Sequence, residues 1–218
     1  NYILDLQKTK EYSTFYDELK AISLAKASLN MIDEFVFYGT QLQMINILTK
    51  KVLSIDVLDI RKKIMSATTS LINNPIRRNV FYFENINSND KINKIKFGDI
   101  VRIVSHKYLF PNYKLYLNSS IITQDVITQT PEVQEAFFNI NINSDSFWII
   151  ENPNKDNQTP NIFVKSDQYF ILKHKNTGKM LGSEINITVK NTYGIENEVF
   201  VFNICNKSKS QNLLNEYI

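Results

Sequence analysis

Hydrophobic residues between positions 9 and 35 recur at steps of three and four, the spacing of one face of a helix. Thr14 followed by Asp17 is typical of a helix start. Lys26 falls within the apolar face and would have to reach water from its edge. We therefore expect an amphipathic helical arm over residues 1–35 that packs against another surface. Its apolar stripe consists of Phe15, Leu19, Ile22, Ala25, Leu29 and Ile32.

From residue 36 onward the hydrophobic period shortens to two, which is typical of β-strands. Short runs rich in Ile, Val, Phe and Tyr alternate with turns rich in Asn, Asp, Ser and Lys. Many short strands at this spacing indicate an all-β sandwich or barrel, and no second long amphipathic stripe supports a helical fold. The predicted strands are 41–48, 64–68, 79–84, 99–104, 115–118, 146–151, 169–173, 185–189 and 198–204.

Three segments of the chain share one pattern, which indicates an internal repeat. Each begins with a tight-turn pair and a strand, continues through a basic turn and a Leu-containing strand, and closes on an aromatic strand. The openings lie at 38–44, 97–103 and 165–171, and the closing strands at 80–83, 147–150 and 199–202. One such four-strand unit cannot bury its apolar face alone, so the copies are expected to pack together.

Three copies can close six strands into a barrel and cap one end with three hairpins, which leaves no free sheet edge. That architecture is a β-trefoil, and it makes Gly39, Gly98 and Ser166 equivalent. The predicted trefoil covers residues 36–205, with repeats at about 38–96, 97–164 and 165–205 and a tail at 206–218. Its predicted core is Leu42, Met44, Leu53, Phe81, Phe83, Ile100, Ile103, Leu117, Trp148, Ile150, Phe170, Leu181, Phe200 and Phe202.

Composition excludes several classes of protein. The chain has 218 residues, and the single cysteine, Cys205, cannot form an internal disulfide. No apolar run is long enough to cross a bilayer, and a net charge of +3 is too small to indicate nucleic-acid binding. Two histidines, His106 and His174, leave little material for a metal site or a catalytic triad. We expect no metal, no cofactor and no enzymatic activity.

Asparagine is frequent, with 27 residues, as in proteins encoded by AT-rich genes. Such a chain generates glycosylation sequons by chance, so those at Asn118, Asn157, Asn186 and Asn206 are weak evidence for a secretory route. The chain begins with Asn rather than Met and lacks the pattern of a signal peptide. We interpret it as a processed product or as part of a longer protein.

The third repeat resembles the MIR repeat, in which a hydrophobic strand leads to a His, a Thr-Gly turn and a Leu. Residues 169–183 carry this pattern, with His174, Thr177 and Leu181 at the matching positions. The second repeat is similar in its opening and places His106 at the matching position, with Trp148 in its closing strand. The first repeat matches only in its opening and has Ile47 where the His would fall.

MIR repeats occur in protein O-mannosyltransferases, in small lumenal proteins related to stromal-cell-derived factor two, and in the cytosolic N-terminal regions of inositol trisphosphate and ryanodine receptors. Residues 9–45 are similar to the receptors' helical arm and Tyr-Gly-Thr strand opening. The resemblance implies a non-catalytic regulatory module of an intracellular calcium-release channel, cytoplasmic at the endoplasmic reticulum membrane and contacting neighbouring domains or subunits. The alternative is an endoplasmic-reticulum lumenal MIR protein or domain that binds glycans or client proteins. Neither implies nucleic-acid binding or insertion of this segment into the membrane.

The resemblance does not extend to the receptors' ligand loop, which is rich in Arg. The corresponding residues 120–144 contain acidic residues and no Lys or Arg, so they lack the donors that a polyphosphate requires. The densest basic group is a candidate anion site, with a solvated turn as the alternative interpretation. It consists of Lys173, His174, Lys175 and Lys179. The adjacent Arg77 and Arg78 are interpreted as a solubilising surface pair.

Overall fold

The structure, a computed structural model, describes residues 2–30, 33–57, 65–86, 93–110, 112–120, 133–154, 162–203 and 216–218. In these ranges the chain forms one α-helix, α1 (Tyr2–Leu24), followed by strands throughout, which confirms the all-β class. The strands are β1 (Val52–Asp56), β2 (Met65–Ser70), β3 (Phe81–Asn85), β4 (Ile100–Ser105), β5 (Tyr116–Ser119), β6 (Gln134–Asn139), β7 (Trp148–Glu151), β8 (Phe170–His174), β9 (Met180–Asn191), β10 (Gly194–Phe202) and β11 (Glu216–Tyr217). Cys205, the sequons at Asn157 and Asn206, and residues 121–132 of the acidic segment lie outside the described residues.

The helix ends at Leu24, so the prediction of a helix through residue 35 was wrong. Beyond Leu24 the backbone of Ala25 and Ala27 bonds to segment 75–77, with two N–H···O distances of 3.0 Å. These bonds hold the chain in an extended conformation that a helix cannot adopt. Further along, Phe35 forms a β-bridge. The helical spacing of the residues after Leu24 is therefore overridden by pairing with distant segments.

The face that α1 buries also differs from the predicted stripe. Leu19 is 9% exposed and Ser23 is fully buried, and the half-buried Tyr16 packs against the same core. Phe15 and Ile22 are instead 51% and 36% exposed. The contact face thus follows a line of residues three and four apart that passes through a serine. Hydrophobicity alone could not identify that line.

This contact face yields a prediction for the helix. Leu19→Asp is expected to lower the free energy of unfolding by more than the roughly 1.5–3 kcal/mol that a buried Leu contributes, because the aspartate would also be desolvated. Phe15→Asp is the matched control and should change stability by about 0.5 kcal/mol or less, since Phe15 is half exposed. Urea unfolding of the two variants measures both effects. Equal losses would show that the helix docks through the predicted stripe instead.

The strand pairings run around a closed circuit, so the sheet is barrel-like. β3 pairs with β4, β4 with β7, β7 with β8, and β8 with β11, all antiparallel. Residues 42–46 close the circuit through two bridges, Leu42 with Phe81 in β3 and Asn46 with Tyr217 in β11. Closure leaves each of these strands paired on both edges.

Three hairpins stand on this circuit, formed by β1 with β2, β5 with β6 and β9 with β10. β2, β6 and β10 also pair with one another, so they make a second closed cycle. Residues 199–202, which were predicted to close the third repeat, belong instead to β10 of a hairpin. β11, which pairs with β8 on the barrel circuit, lies in the segment predicted to be a tail.

Three backbone segments are joined by a cycle of hydrogen bonds, which we call the backbone triangle (Val36, Ile95 and Val164). Val36 donates its N–H to the Val164 carbonyl at 2.9 Å, Val164 donates to Ile95 at 2.9 Å, and Ile95 donates to Val36 at 3.0 Å. Ile95 and Val164 are buried, and Val36 is half buried. The backbones of Val36, Ile95 and Val164 therefore each donate and accept one hydrogen bond in the same cycle.

Two residues after each corner of the triangle, a second cycle of hydrogen bonds runs in the opposite direction. Tyr38, Phe97 and Ser166 donate their N–H groups to the carbonyls of Asn93, Ile162 and Glu34, respectively. Ser166 is thus equivalent to Tyr38 and Phe97, and its predicted equivalence with Gly39 and Gly98 was wrong by one residue. Gly39 and Gly98 have φ angles of 79° and 91°, a left-handed conformation that favours glycine. The predicted recurrence of a turn glycine at positions 39 and 98 was therefore correct.

The predicted core is largely correct. Leu42, Ile100 and Phe202 are half buried, and the other residues predicted to lie in the core are buried. Trp148 is fully buried and donates its indole N–H to the Leu117 carbonyl at 2.9 Å. The period-two pattern therefore identified the inward-facing side chains of most strands.

Candidate functional site

The histidine of the candidate anion site has a structural role. His174 is fully buried, with Nδ1 2.9 Å from Thr177 Oγ1 and Nε2 2.9 Å from the Asp145 carbonyl oxygen. Burial lowers the pKa of His174, although its contacts with Asp145 act in the opposite direction. His106 is buried too, and its Nδ1 accepts the Tyr108 N–H at 3.2 Å. Both histidines are therefore engaged in local turns.

The lysines around His174 have separate surroundings. Lys173 pairs with Glu151 at 2.8 Å, and the Lys175 ammonium lies 5.5 Å from the centre of the Phe147 ring. The Lys179 carbonyl accepts the His174 N–H at 2.7 Å across the turn. Anion binding by these residues stays a prediction, and one of its four members already has a carboxylate partner.

The chain is expected to bind inositol trisphosphate no more tightly than a dissociation constant of about 1 mM, or about −4 kcal/mol. Exposed ion pairs each contribute only about 0–1 kcal/mol, and Lys173 is already paired with Glu151. Calorimetric titration at about 0.15 M salt tests this expectation. Saturable micromolar binding that Lys179→Ala abolishes, and that the exposed control Lys190→Ala preserves, would contradict it.

A buried ion pair at the junction of α1 and the β9–β10 hairpin was missed by the sequence analysis. Arg78 is fully buried, so its interpretation as a surface residue was wrong. Its two terminal nitrogens each donate to one carboxylate oxygen of Glu196 at 2.8 Å, and its Nε donates to the Ile55 carbonyl at 2.8 Å. Thr68 and Asn191 also donate to Glu196, at 2.8 and 2.7 Å. The pair is bidentate and fully hydrogen-bonded.

Tyr193 connects this pair to the helix. Its ring centre lies 3.7 Å from the Arg78 guanidinium carbon, and its hydroxyl lies 2.7 Å from Ser23 Oγ of α1. Burial raises the pKa of Tyr193 to about 12, against the lowering effects of Ser23 and Arg78. The side chains of Ser23, Arg78, Tyr193 and Glu196 therefore form one polar network in which they contact one another.

The network predicts a pH dependence. Burial raises the pKa of Glu196, but the hydrogen bonds and charge of Arg78 outweigh it, and the pKa falls from 4.5 to about 2. A carboxyl whose pKa is lowered by folding stabilises the protein above its unfolded-state pKa, and this stabilisation is lost as the pH falls through the folded-state value. We expect a loss of about 3 kcal/mol between about pH 5 and pH 1.

Urea unfolding across this pH range measures the loss. The double variant Arg78→Met/Glu196→Leu is the reference, because it lacks the titrating carboxyl and its buried partner. The wild type should lose stability relative to the double variant as the pH falls, because protonation of Glu196 leaves the buried charge of Arg78 unpaired. Parallel curves would contradict the pKa of about 2 for Glu196.

The side chains that flank the backbone triangle form a second cluster, the Phe/Lys cluster. The Lys94 ammonium lies 4.2 Å from the ring centre of Phe35, 5.6 Å from Phe37 and 5.7 Å from Phe163. Lys165 approaches the same Phe35 ring at 5.8 Å and pairs with the carboxylate of Glu34. The Lys96 ammonium lies 5.6 Å from the ring centre of Phe163. The members of the Phe/Lys cluster are Phe35, Phe37, Phe163, Lys94, Lys96 and Lys165.

Beside this cluster lies a half-open cavity of about 530 Å³, which we call the opening-strand pocket. Segment 29–43 supplies most of its lining, and Ser166 and Ile218 complete it. The volume is within the range of small-ligand sites. Its walls combine apolar side chains with a carboxylate and several amides and hydroxyls. This pocket is a candidate binding site, and the sequence analysis did not identify it.

One polar group of the pocket lacks a partner. The side-chain nitrogen of Gln43 is buried and makes no hydrogen bond. An unsatisfied buried donor costs about 1–3 kcal/mol, so such groups are rare in folded proteins. By contrast, Asn30 accepts the Gln41 N–H at 2.7 Å, and Ser166 donates to the Asp33 carbonyl at 2.7 Å. The pocket is therefore held in shape by its own loops, with Gln43 unsatisfied.

No helix in the described ranges is both long enough and apolar enough to span a membrane. No family model matches the sequence, and no curated protein matches it. The structure, however, superposes on solved structures. A Caenorhabditis elegans protein of unknown function gives a TM-score of 0.63 at 16% identity, over 86% of this chain and 97% of that one.

Two further neighbours have more informative names. The SDF2-like protein from Arabidopsis thaliana gives a TM-score of 0.59 at 16% identity, over 84% of this chain and 93% of that one. The Saccharomyces cerevisiae protein O-mannosyltransferase Pmt1-Pmt2 complex bound to the sugar donor gives 0.61 at 17% identity, over 86% of this chain and 26% of that one. At such identities the likeness concerns the fold, and it supports a fold of the MIR type.

Proposed function

We propose that the chain is a β-trefoil of three MIR-like repeats that acts as a non-catalytic binding module in the lumen of the endoplasmic reticulum. The observation that carries this proposal is the superposition on the SDF2-like protein and on the O-mannosyltransferase, over more than four fifths of the chain. Three equivalent repeats are supported by two cyclic arrangements. One is the backbone triangle, and the other is the mutual pairing of β2, β6 and β10.

A binding role rather than catalysis is supported by the state of the titratable groups. His106 and His174 are buried in turns, and the Arg78–Glu196 pair is saturated by its own partners. A general acid or base must face a substrate within hydrogen-bond reach, whereas these groups bond to other groups of the protein. We propose glycans or client proteins as the ligands.

The comparisons supply nothing in favour of the calcium-release channel. The feature that favoured it, a helical arm running into the Tyr-Gly-Thr opening, is also altered, since α1 ends at Leu24 and an extended segment follows. The lumenal interpretation is therefore the one we carry forward, with docking onto neighbouring domains of a larger protein as a compatible arrangement.

A glycosylation assay tests the compartment. Asn186 of β9 and Thr188 of its sequon are exposed, whereas Asn118 is buried in β5. In the lumen, the full-length protein with its native flanking sequence, expressed in yeast, is expected to gain at least one endoglycosidase-sensitive glycan, and Asn186→Gln should remove one glycan. Asn118→Gln is the matched control and should leave the mass increase unchanged.

Protease protection of microsomes provides the second measurement. A tag on the protein should resist protease until detergent opens the membrane. An unglycosylated protein with a protease-sensitive tag would overturn the lumenal proposal and return the cytoplasmic interpretation.

A further inference from the structure

We propose that the opening-strand pocket binds a neutral, hydroxyl-rich saccharide, an inference that rests on the proposed function and narrows its ligand to one class. The first argument is shape and composition. The cavity of about 530 Å³ has a mainly apolar wall that contains two phenylalanines, Phe35 and Phe37, one residue apart on a single extended segment. Aromatic and apolar walls with a few polar groups are typical of small-ligand sites.

The second argument is the hydrogen-bonding capacity of the wall. Gln43 offers a buried N–H₂ donor without a partner, and Gln41 and Thr40 add an amide and a hydroxyl on the same segment. Amides and hydroxyls both donate and accept, as the hydroxyl groups of a sugar do. A ligand hydroxyl that accepts from Gln43 would remove the cost of the unsatisfied donor. The terminal torsion of a glutamine is soft, so the amide can turn toward such a ligand.

The third argument is charge. Asp33 lines the pocket, and none of the described lining residues is Lys or Arg. The nearby Lys165 is already paired with Glu34 at 2.8 Å. Lys94, whose ammonium lies 4.2 Å from the Phe35 ring, is not part of the lining. A phosphate or an acidic sugar would therefore meet a carboxylate in the wall and no lining cation to pair with. The pocket favours a neutral ligand, which separates it from the polyphosphate chemistry of the receptors.

Titration of the purified chain with simple probes tests this inference. The neutral probes are the methyl glycosides of mannose, glucose and galactose, and the acidic probe is glucuronate. Binding is followed by the nitrogen–proton NMR signals of the chain, including the side-chain amide of Gln43. At least one neutral glycoside is expected to shift the Gln43 signal in a saturable way, and glucuronate is expected not to.

Gln43→Met is the decisive variant. Methionine has a similar size and removes the unsatisfied donor together with the amide oxygen, so the melting temperature should change little. Affinity for the neutral glycoside should fall about tenfold or more, the equivalent of about 1.4 kcal/mol. Gln134→Met is the matched control, because Gln134 is buried in β6, outside the pocket. This variant should bind the neutral glycoside with the affinity of the wild type.

Three outcomes would overturn the inference. They are the absence of binding by any neutral glycoside, binding that Gln43→Met leaves intact, and a preference for glucuronate. A chain that ignores all sugars but binds an unfolded client peptide would also overturn it, while the lumenal binding module would stand. Loss of lumenal location with sugar binding retained would overturn the proposed function and not the pocket.

Discussion

Glu196→Gln is expected to lower the free energy of unfolding by about 3–5 kcal/mol, the loss that follows when a buried ion pair is deprived of one partner. Arg78 would keep a full positive charge in a fully buried place, with a neutral amide where the carboxylate was. Since the carboxylate also accepts from Thr68 and Asn191, its loss disturbs β2 and the β9–β10 hairpin together. Urea unfolding at neutral pH measures the change.

Two further variants separate this mechanism from a general disturbance of the hairpin. Glu184→Gln changes a carboxylate that the Arg78 network does not include, on the same hairpin, and should alter stability by about 0.5 kcal/mol or less. The double variant Arg78→Met/Glu196→Leu should recover most of the loss, because apolar side chains of similar volume often replace buried ion pairs without cost. A double variant as unstable as Glu196→Gln would show that volume, and not the unpaired charge, is responsible.

Many of the strands and most of the core were predictable because a period of two depends only on neighbouring residues in a strand, but β6 and β11 were absent from the predicted strands. Phe81 and Phe83 in β3, and Trp148 and Ile150 in β7, alternate with more exposed residues, so their inward direction is visible in the sequence. The glycines at 39 and 98 were predictable for a similar reason, since a left-handed turn is a local requirement.

Errors arose where distant segments decide the structure. Arg78 follows another arginine, which is typical of a surface, yet its partner Glu196 comes from the other end of the chain. The burial of Ser23 depends on the hydroxyl of Tyr193, and no hydrophobicity scale assigns a serine to a core. The end of the helix depends on the 75–77 segment, which competes for its backbone. Each is a tertiary contact that overrides a local pattern.

The opening-strand pocket was unpredictable for the same reason. Its amides stand in a segment that the sequence analysis assigned to a helix and a strand, and neither assignment indicates a cavity. The wall is completed by Ser166 and Ile218, which lie far away along the chain. A signal was nevertheless present, because Gln41 and Gln43 stand on either side of Leu42 in the predicted opening strand.

Tyr217→Ala is expected to lower the free energy of unfolding by about 3–5 kcal/mol, the usual cost of truncating a large buried aromatic side chain to Ala. Tyr217 is fully buried in β11, where its ring centre lies 6.4 Å from that of Phe170. It also stands opposite Asn46 in the bridge that closes the barrel. β11 closes the barrel with only two residues, so the closure depends strongly on the buried side chain of Tyr217. Tyr169→Ala is the matched control, since Tyr169 is 48% exposed, and it should cost less than about 1 kcal/mol.

Hydrogen exchange shows whether the loss comes from opening of the barrel. The backbones of Ile45 and Ile218 donate to each other at 2.7 and 3.0 Å across the closure. In Tyr217→Ala, the hydrogen-exchange protection of the Ile45 and Ile218 amides should fall at least as much as that of the core amides. The amides of the bridge between Leu42 and Phe81 should exchange only with global unfolding. If Tyr217→Ala matches Tyr169→Ala in both stability and exchange, β11 does not close the barrel, and the proposed three-repeat trefoil loses its last strand.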